Sequence, residues 1–204
     1  MRKPGGIFAL ALLLLLAILG CDRTPPLSPL APEAVVLAFG DSLTFGTGAP
    51  RGQAYPDVLQ QLLAHRVVNA GVPGEVSTEG LKRLPTILAE YRPALLILCH
   101  GGNDLLRRHD LAGIEANLRA MIELARADGI EVVLLGVPQP GLLVRPPDFY
   151  QRIAAEYRLP YDGEILHQLL TDRALKSDTI HPNAEGYRKL AAALHELIEN
   201  AQGG

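Results

Sequence analysis

Four short clusters carry residues able to do chemistry. They are Gly40-Asp41-Ser42-Leu43-Thr44, Asn69-Ala70-Gly71-Val72-Pro73-Gly74-Glu75, Gly101-Gly102-Asn103-Asp104 and Asp178-Thr179-Ile180-His181-Pro182. A serine hydroxyl is a weak nucleophile until a base takes its proton, and histidine suits that task near neutral pH. The imidazole needs a partner that fixes its tautomer and stabilises its cation. Asp178 stands three residues before His181, so on a tight loop both side chains reach one pocket. A tetrahedral intermediate then needs donors aimed at its oxyanion. The candidates are the backbone N–H groups of Ser42 and Gly74 and the side-chain amide of Asn103, an uncharged donor. Each cluster alone reads equally as a turn; the argument rests on their order and on where each falls.

The elements that must position them alternate strand and helix. Val35–Phe39, Arg66–Ala70, Ala94–Cys99 and Ile130–Val137 are apolar runs with the length of buried strands, and Leu159–Tyr161 is a short fifth. Helical spacing of apolar residues predicts helices over Tyr55–His65, Ser77–Tyr91, Leu111–Ala127, Phe149–Tyr157 and Asn183–Asn200. Pro85 inside the second of these predicts a kink or a broken first half. The alternation argues for a parallel sheet covered by helices on both faces. In such sheets ligands sit at the carboxyl ends of the strands, which is where the first three clusters fall. The fourth falls just before the last helix.

On these residues the chain resembles the SGNH, or GDSL, hydrolase family, and more closely its thioesterase I / lysophospholipase L1 / arylesterase branch. The likeness covers residues 35–200 and includes Asn69-Ala70 and Arg83-Leu84-Pro85. It implies a flavodoxin-like three-layer α/β/α sandwich with a five-stranded parallel sheet. It also implies Ser42 as nucleophile, Asp178 and His181 as its partners, and Gly74 and Asn103 as oxyanion donors. Glu75 stands where close relatives usually carry Asp, and Pro73 where Ser is common. Both departures bear on the loop that presents the Gly74 N–H. Two look-alikes are rejected. His100-Gly101-Gly102 is similar to an α/β-hydrolase oxyanion loop, but no Gly-x-Ser-x-Gly elbow accompanies it. His195-Glu196 lacks the second histidine of a zinc protease, since residue 199 is Glu. Nothing implies a metal or a cofactor.

Around the clusters, Asp41 reads as a turn support, Asp104 as a helix-start or loop anchor, and His100 as a packed rather than substrate-facing residue. Arg107 and Arg108 read as a solvated helix face, and Cys99 as a buried inert thiol.

The chain has 204 residues, room for one ordinary domain. Its net charge of −3 shows no basic excess of the kind that marks a nucleic-acid surface, and two cysteines make no disulfide framework. Residues 1–20 read as a signal peptide: Arg2 and Lys3 precede an apolar run from Ile7 to Leu19, too short for a membrane span. Ile18-Leu19-Gly20-Cys21 resembles the bacterial lipobox, which implies lipid on Cys21 and a place in the cell envelope, anchored to a membrane. Residues 21–33 hold four prolines and read as a semi-rigid tether, leaving a folded domain at 34–204. No sheet edge or helix face reads as an interface, so a monomer is expected.

Leu142, Leu143 and Val144, between prolines after the fourth strand, read as the wall of an acyl pocket beside the site. The reading is therefore an envelope-anchored serine esterase acting on small-molecule acyl esters or thioesters, lysophospholipids among them. Two alternatives stand beside it: an O-acetylesterase of polysaccharide or peptidoglycan, and a non-catalytic lipoprotein that binds lipid or cell wall.

Overall fold

The computed structural model describes residues 24–141 and 144–203. Five strands form one sheet: β1 (Val35–Gly40), β2 (Arg66–Gly71), β3 (Leu95–Cys99), β4 (Glu131–Leu135) and β5 (Tyr161–Asp162). Their order is β2-β1-β3-β4-β5, and every neighbouring pair is parallel. This is the flavodoxin-like order, in which the chain reverses its direction of growth between β1 and β3.

The core follows from that order. β1 and β3 lie in the centre, and Val36, Leu37, Ala38, Phe39, Leu96, Ile97, Leu98 and Cys99 are fully buried. Strands covered on both faces need continuous apolar runs. β2 is an edge strand and only partly buried, and β5 is two residues long, so each edge offers little unpaired backbone. Helices α1 (Ser42–Phe45), α2 (Tyr55–Leu63), α3 (Ser77–Tyr91), α4 (Gly102–Leu106), α5 (Leu111–Ala127), α6 (Phe149–Tyr157), α7 (Ile165–Thr171) and α8 (Ala184–Gln202) complete the fold. α2 packs on α8, α3 on α5, and α5 on α6. Among the described residues no helix is long and apolar enough to cross a membrane.

Two expectations are corrected. α3 is continuous through Pro85, so its first half is not broken off. Pro85 is exposed while Leu84 and Leu88 are buried, so the residue that lacks an N–H lies on the side of the helix away from the core. The second correction concerns the tether. The packed unit begins by Leu27, not at residue 34. Leu27 is buried and its N–H donates to Ala201 O at 2.9 Å. The Ser28 N–H donates to both carboxylate oxygens of Glu131, at 3.1 and 3.0 Å, and Gln202 Nε2 donates to Ser28 O at 3.0 Å. His65 Nε2 and Ala31 O are 3.2 Å apart. Glu131 opens β4, His65 precedes β2, and Ala201 lies in the last turn of α8, so residues 27–31 are fastened along the amino-terminal edge of the sheet.

Burying a leucine side chain contributes about 1.5–3 kcal/mol. A protein beginning at Ala34 is therefore expected to melt roughly 5–10 °C below one beginning at Thr24, followed by circular dichroism. Equal midpoints would show that the docked segment adds no stability.

Candidate active site

β1 ends at Gly40, between Gly71 of β2 and Cys99 of β3. A Cβ on residue 40 would lie 2.0 Å from Cys99 O and 2.4 Å from Thr44 Oγ1, so only glycine lets the next turn fold back this closely. Asp41 then caps α1, its Oδ1 accepting from the Leu43 N–H at 3.0 Å. Ser42 thereby becomes the first residue of a one-turn helix at the strand's carboxyl end. Burial raises the Asp41 carboxyl above its usual range, against the lowering influence of His100, the Leu43 N–H, His181 and Asn103.

The fourth cluster arrives from the other end of the chain. Asp178 Oδ1 accepts from the N–H groups of Ile180 and His181, at 2.8 and 2.9 Å, which curls the loop tightly. The Ser177 N–H donates to His181 O at 2.9 Å, and Asn183 caps α8 directly behind. His181 Nδ1 lies 2.7 Å from Asp178 Oδ2, and His181 Nε2 lies 2.9 Å from Ser42 Oγ. An ionised carboxylate only accepts, so Nδ1 carries the proton and the Nε2 lone pair faces the serine. Partial burial pushes the Asp178 carboxyl up, but the His181 ring and the two backbone donors outweigh it and lower it overall. The imidazole is mostly buried while Asp178 is 52% exposed.

The oxyanion candidates are arranged unequally. No protein acceptor among the described residues takes the Ser42 or Gly74 N–H. Gly74 sits in a turn with φ +82°, closed by the Glu75 N–H donating to Val72 O at 3.2 Å. Pro73 and Gly74 occupy the two corners that a type II turn reserves for them, so Pro73 stiffens this loop. Gly74 is not among the residues lining the cavity at Ser42, whereas Asn103 is. Asn103 is not a free donor: its Nδ2 donates to Asp41 Oδ2 at 3.2 Å and to Glu75 O at 3.1 Å. Asp41 lines the cavity and Glu75 does not, so the hydrogen turned toward Asp41 is the one an anionic oxygen there can share.

Ser42 and His181 open on a cavity of about 150 Å³. Its apolar walls include Leu43, Leu106, Val137, Val144, Leu170 and Ile180. Val144 lines this cavity; Leu142, Leu143 and Cys21 lie outside the described residues. Among the described residues no cluster of His, Cys, Asp and Glu is placed to hold a metal ion.

Several supporting contacts escaped the sequence reading. Asp104, in the first turn of α4, is an anchor as expected, but its partner lies far away in sequence: it accepts from the N–H and hydroxyl of Ser77, at 2.7 and 2.8 Å, and so ties α4 to the first turn of α3. Arg107 lies on an exposed face, as expected, and also donates to Gly74 O at 3.0 Å. Arg83 grips Glu75 and the end of β2. His100 is fully buried, as packing predicted. These partners are 8 to 33 residues apart, beyond what periodicity can pair.

Comparison with known proteins places this geometry in a lineage. Residues 38–189 match the model of the GDSL-like Lipase/Acylhydrolase family. The chain is 40% identical over 130 residues to "Esterase TesA" of Pseudomonas aeruginosa, covering 61% of this chain and 65% of that protein. It thus spans a little under two thirds of that relative's length. It is 29% identical over 163 residues to "Thioesterase 1/protease 1/lysophospholipase L1" of Escherichia coli K12, covering 76% and 78% of the two chains. A solved structure titled "Crystal Structure of TesA" superposes with a TM-score of 0.74 at 31% identity, covering 82% of this chain and 99% of that one. The matched span contains Ser42, Gly74, Asn103, Asp178 and His181, the residues just described, and the chain belongs to the GDSL-like lipase/acylhydrolase family.

Proposed function

We propose that this protein hydrolyses carboxylic acyl esters, and thioesters of the same acyl groups, through an acyl-Ser42 intermediate. The observation that carries the reading is the unbroken relay from Ser42 Oγ through His181 to Asp178, at 2.9 and 2.7 Å, opening on an apolar cavity.

The steps follow from the atoms. Ser42 Oγ attacks the acyl carbonyl carbon as its proton passes to His181 Nε2. Asp178 stabilises the imidazolium that forms. The carbonyl π pair moves onto oxygen, and the oxyanion meets the Ser42 and Gly74 N–H groups and the shared hydrogen of Asn103. When the carbonyl re-forms, the bond to the alcohol or thiol breaks, and His181 returns the proton to that leaving group. Water then enters, gives a proton to His181, and attacks the acyl-serine carbonyl. Collapse of this second intermediate releases the acid and restores the Ser42 hydroxyl.

The substrate class rests on the cavity. The apolar side chains Leu43, Leu106, Val137, Val144, Leu170 and Ile180 beside Ser42 suit an acyl or aryl group larger than acetyl. With nitrophenyl esters from acetyl to palmitoyl, activity is expected to peak above acetyl, at medium or long chains. It should fall roughly 10⁴–10⁶-fold in Ser42→Ala. A peak at acetyl would favour an O-acetylesterase of polysaccharide or peptidoglycan, and a folded protein with no esterase activity would favour a binding lipoprotein.

Asp178→Asn leaves the loop's backbone contacts largely available but favours the wrong imidazole tautomer. It should lower kcat by about 10³–10⁴-fold while the melting temperature moves little; a loss under tenfold would remove Asp178 from the relay.

We also propose that Cys21 carries the lipid that holds the enzyme at a bacterial membrane facing the periplasm or exterior. Supporting this is the Ile18-Leu19-Gly20-Cys21 segment at the end of the apolar leader. The full chain made in a bacterium should incorporate labelled palmitate and sediment with membranes, and Cys21→Ser should abolish both; unchanged labelling in that variant would refute the anchor.

A further inference from the structure

A buried charged cluster stands behind the site and takes no part in the steps above. Glu75 is 7% exposed, and Arg83 grips it with two parallel bonds, Nε to Oε1 at 2.8 Å and Nη2 to Oε2 at 2.7 Å. His100, fully buried, stands with its Nε2 3.1 Å from Glu75 Oε2. Its Nδ1 accepts from the Gly101 N–H at 2.9 Å, so Nε2 carries the proton and donates to the carboxylate. Burial pushes the Glu75 carboxyl up, but Arg83 and His100 overcome it and bring it down to about 2. The carboxylate is thus charged throughout the neutral range. Arg83 also donates to Ala70 O at 3.1 Å and lies over the Phe39 ring, 4.3 Å from its centroid. Both residues lead into catalytic loops: Ala70 into the turn bearing Gly74, and Phe39 into Ser42.

Such a cluster needs a reason. Buried ion pairs are weak contributors to stability, because desolvation offsets their attraction, and apolar replacements often serve as well. What the pair does provide is fixed geometry, since a bidentate guanidinium–carboxylate contact has one good arrangement. What it fixes is Glu75, and the backbone of Glu75 touches both sides of the oxyanion site. Its N–H closes the turn that presents the Gly74 N–H, and its carbonyl holds the Asn103 amide at 3.1 Å.

We infer that Glu75, clamped by Arg83 and His100, is a positioning residue that sets the Gly74 and Asn103 donors in register with each other. This rests on the esterase reading above. Glu75 touches no reacting atom; it acts through the turn and the amide. A donor displaced by about 1 Å can lower a rate ~100-fold, without weakening the ground-state contacts that the apolar wall supplies.

The test is a kinetic cycle on the full-length protein with its best nitrophenyl ester. Glu75→Gln keeps the side chain's length and removes its charge. It should lower kcat about 10–100-fold and leave KM within about twofold. In an Asn103→Ala background, which removes one of the two donors that Glu75 positions, the same change should cost less than it does alone. Should Glu75→Gln fail to fold, Arg83→Lys, which keeps the charge but loses the fork, is measured in the same way and should show the same split. An unchanged kcat in a folded variant, or full multiplication of the two losses, would overturn the positioning role. Failure of the esterase reading is separately visible, as absence of Ser42-dependent hydrolysis in the unmutated protein.

Discussion

The hydrogen bond between His181 and Ser42 spans 139 residues of sequence and closes at 2.9 Å. A base and a nucleophile must meet within about 3.2 Å to exchange a proton, so two remote loops have to be held to a fraction of an ångström. The fold meets that demand from both ends. On the serine side, β1 is sandwiched between β2 and β3, and the glycine at its tip lets the next turn fold back against Cys99 and Thr44. On the histidine side, Asp178 binds the backbone of its own loop before it binds the ring, and Lys176 bridges to Pro182. Tyr187, in the first turn of α8, donates to Thr47 O at 2.9 Å and ties the two halves together just beyond the catalytic atoms.

The site has two walls of different character. The rear is polar and closed. Asp41, Glu75, His100 and Asp104 are buried, and no buried side-chain nitrogen or oxygen among the described residues lacks a partner. The front is apolar and open to a ligand. This division suits acyl transfer, in which charge develops at the carbonyl oxygen while the acyl tail only needs to leave water. A satisfied polar network holds its geometry because every alternative arrangement leaves a buried group unpaired. Cys99 lies in the core at the rear, where burial pushes its thiol far up and leaves it an inert packing residue.

Much of this was legible in the sequence, and what was not has physical causes. α3, α5 and α6 have the limits that apolar spacing predicted, because each buries one long face. The first three clusters were legible because a strand end, a glycine and a polar residue recur together, and the fourth because Asp178 and His181 stand three residues apart before the last helix. α1 and α4 were invisible, since four or five residues complete barely one turn and show no period. β4 stops at Leu135 rather than continuing to Val137, as its partner β5 pairs only with Leu134 and Leu135. The Arg83–Glu75, Asp104–Ser77 and Arg107–Gly74 contacts were illegible for another reason. A periodic pattern shows which face of a helix is buried but not which distant backbone or side chain its polar residues will meet.

The docked leading segment has a consequence for how a substrate approaches. Residues 27–31 are fastened at the amino-terminal edge of the sheet, and the catalytic cavity opens at the opposite edge. From Cys21 to Leu27 there are six steps of chain, a reach of at most ~20 Å. β1 alone, six residues long, covers roughly that height. Lipid on Cys21, as proposed above, would hold the molecule by its back on this short reach, with the cleft turned toward the aqueous side.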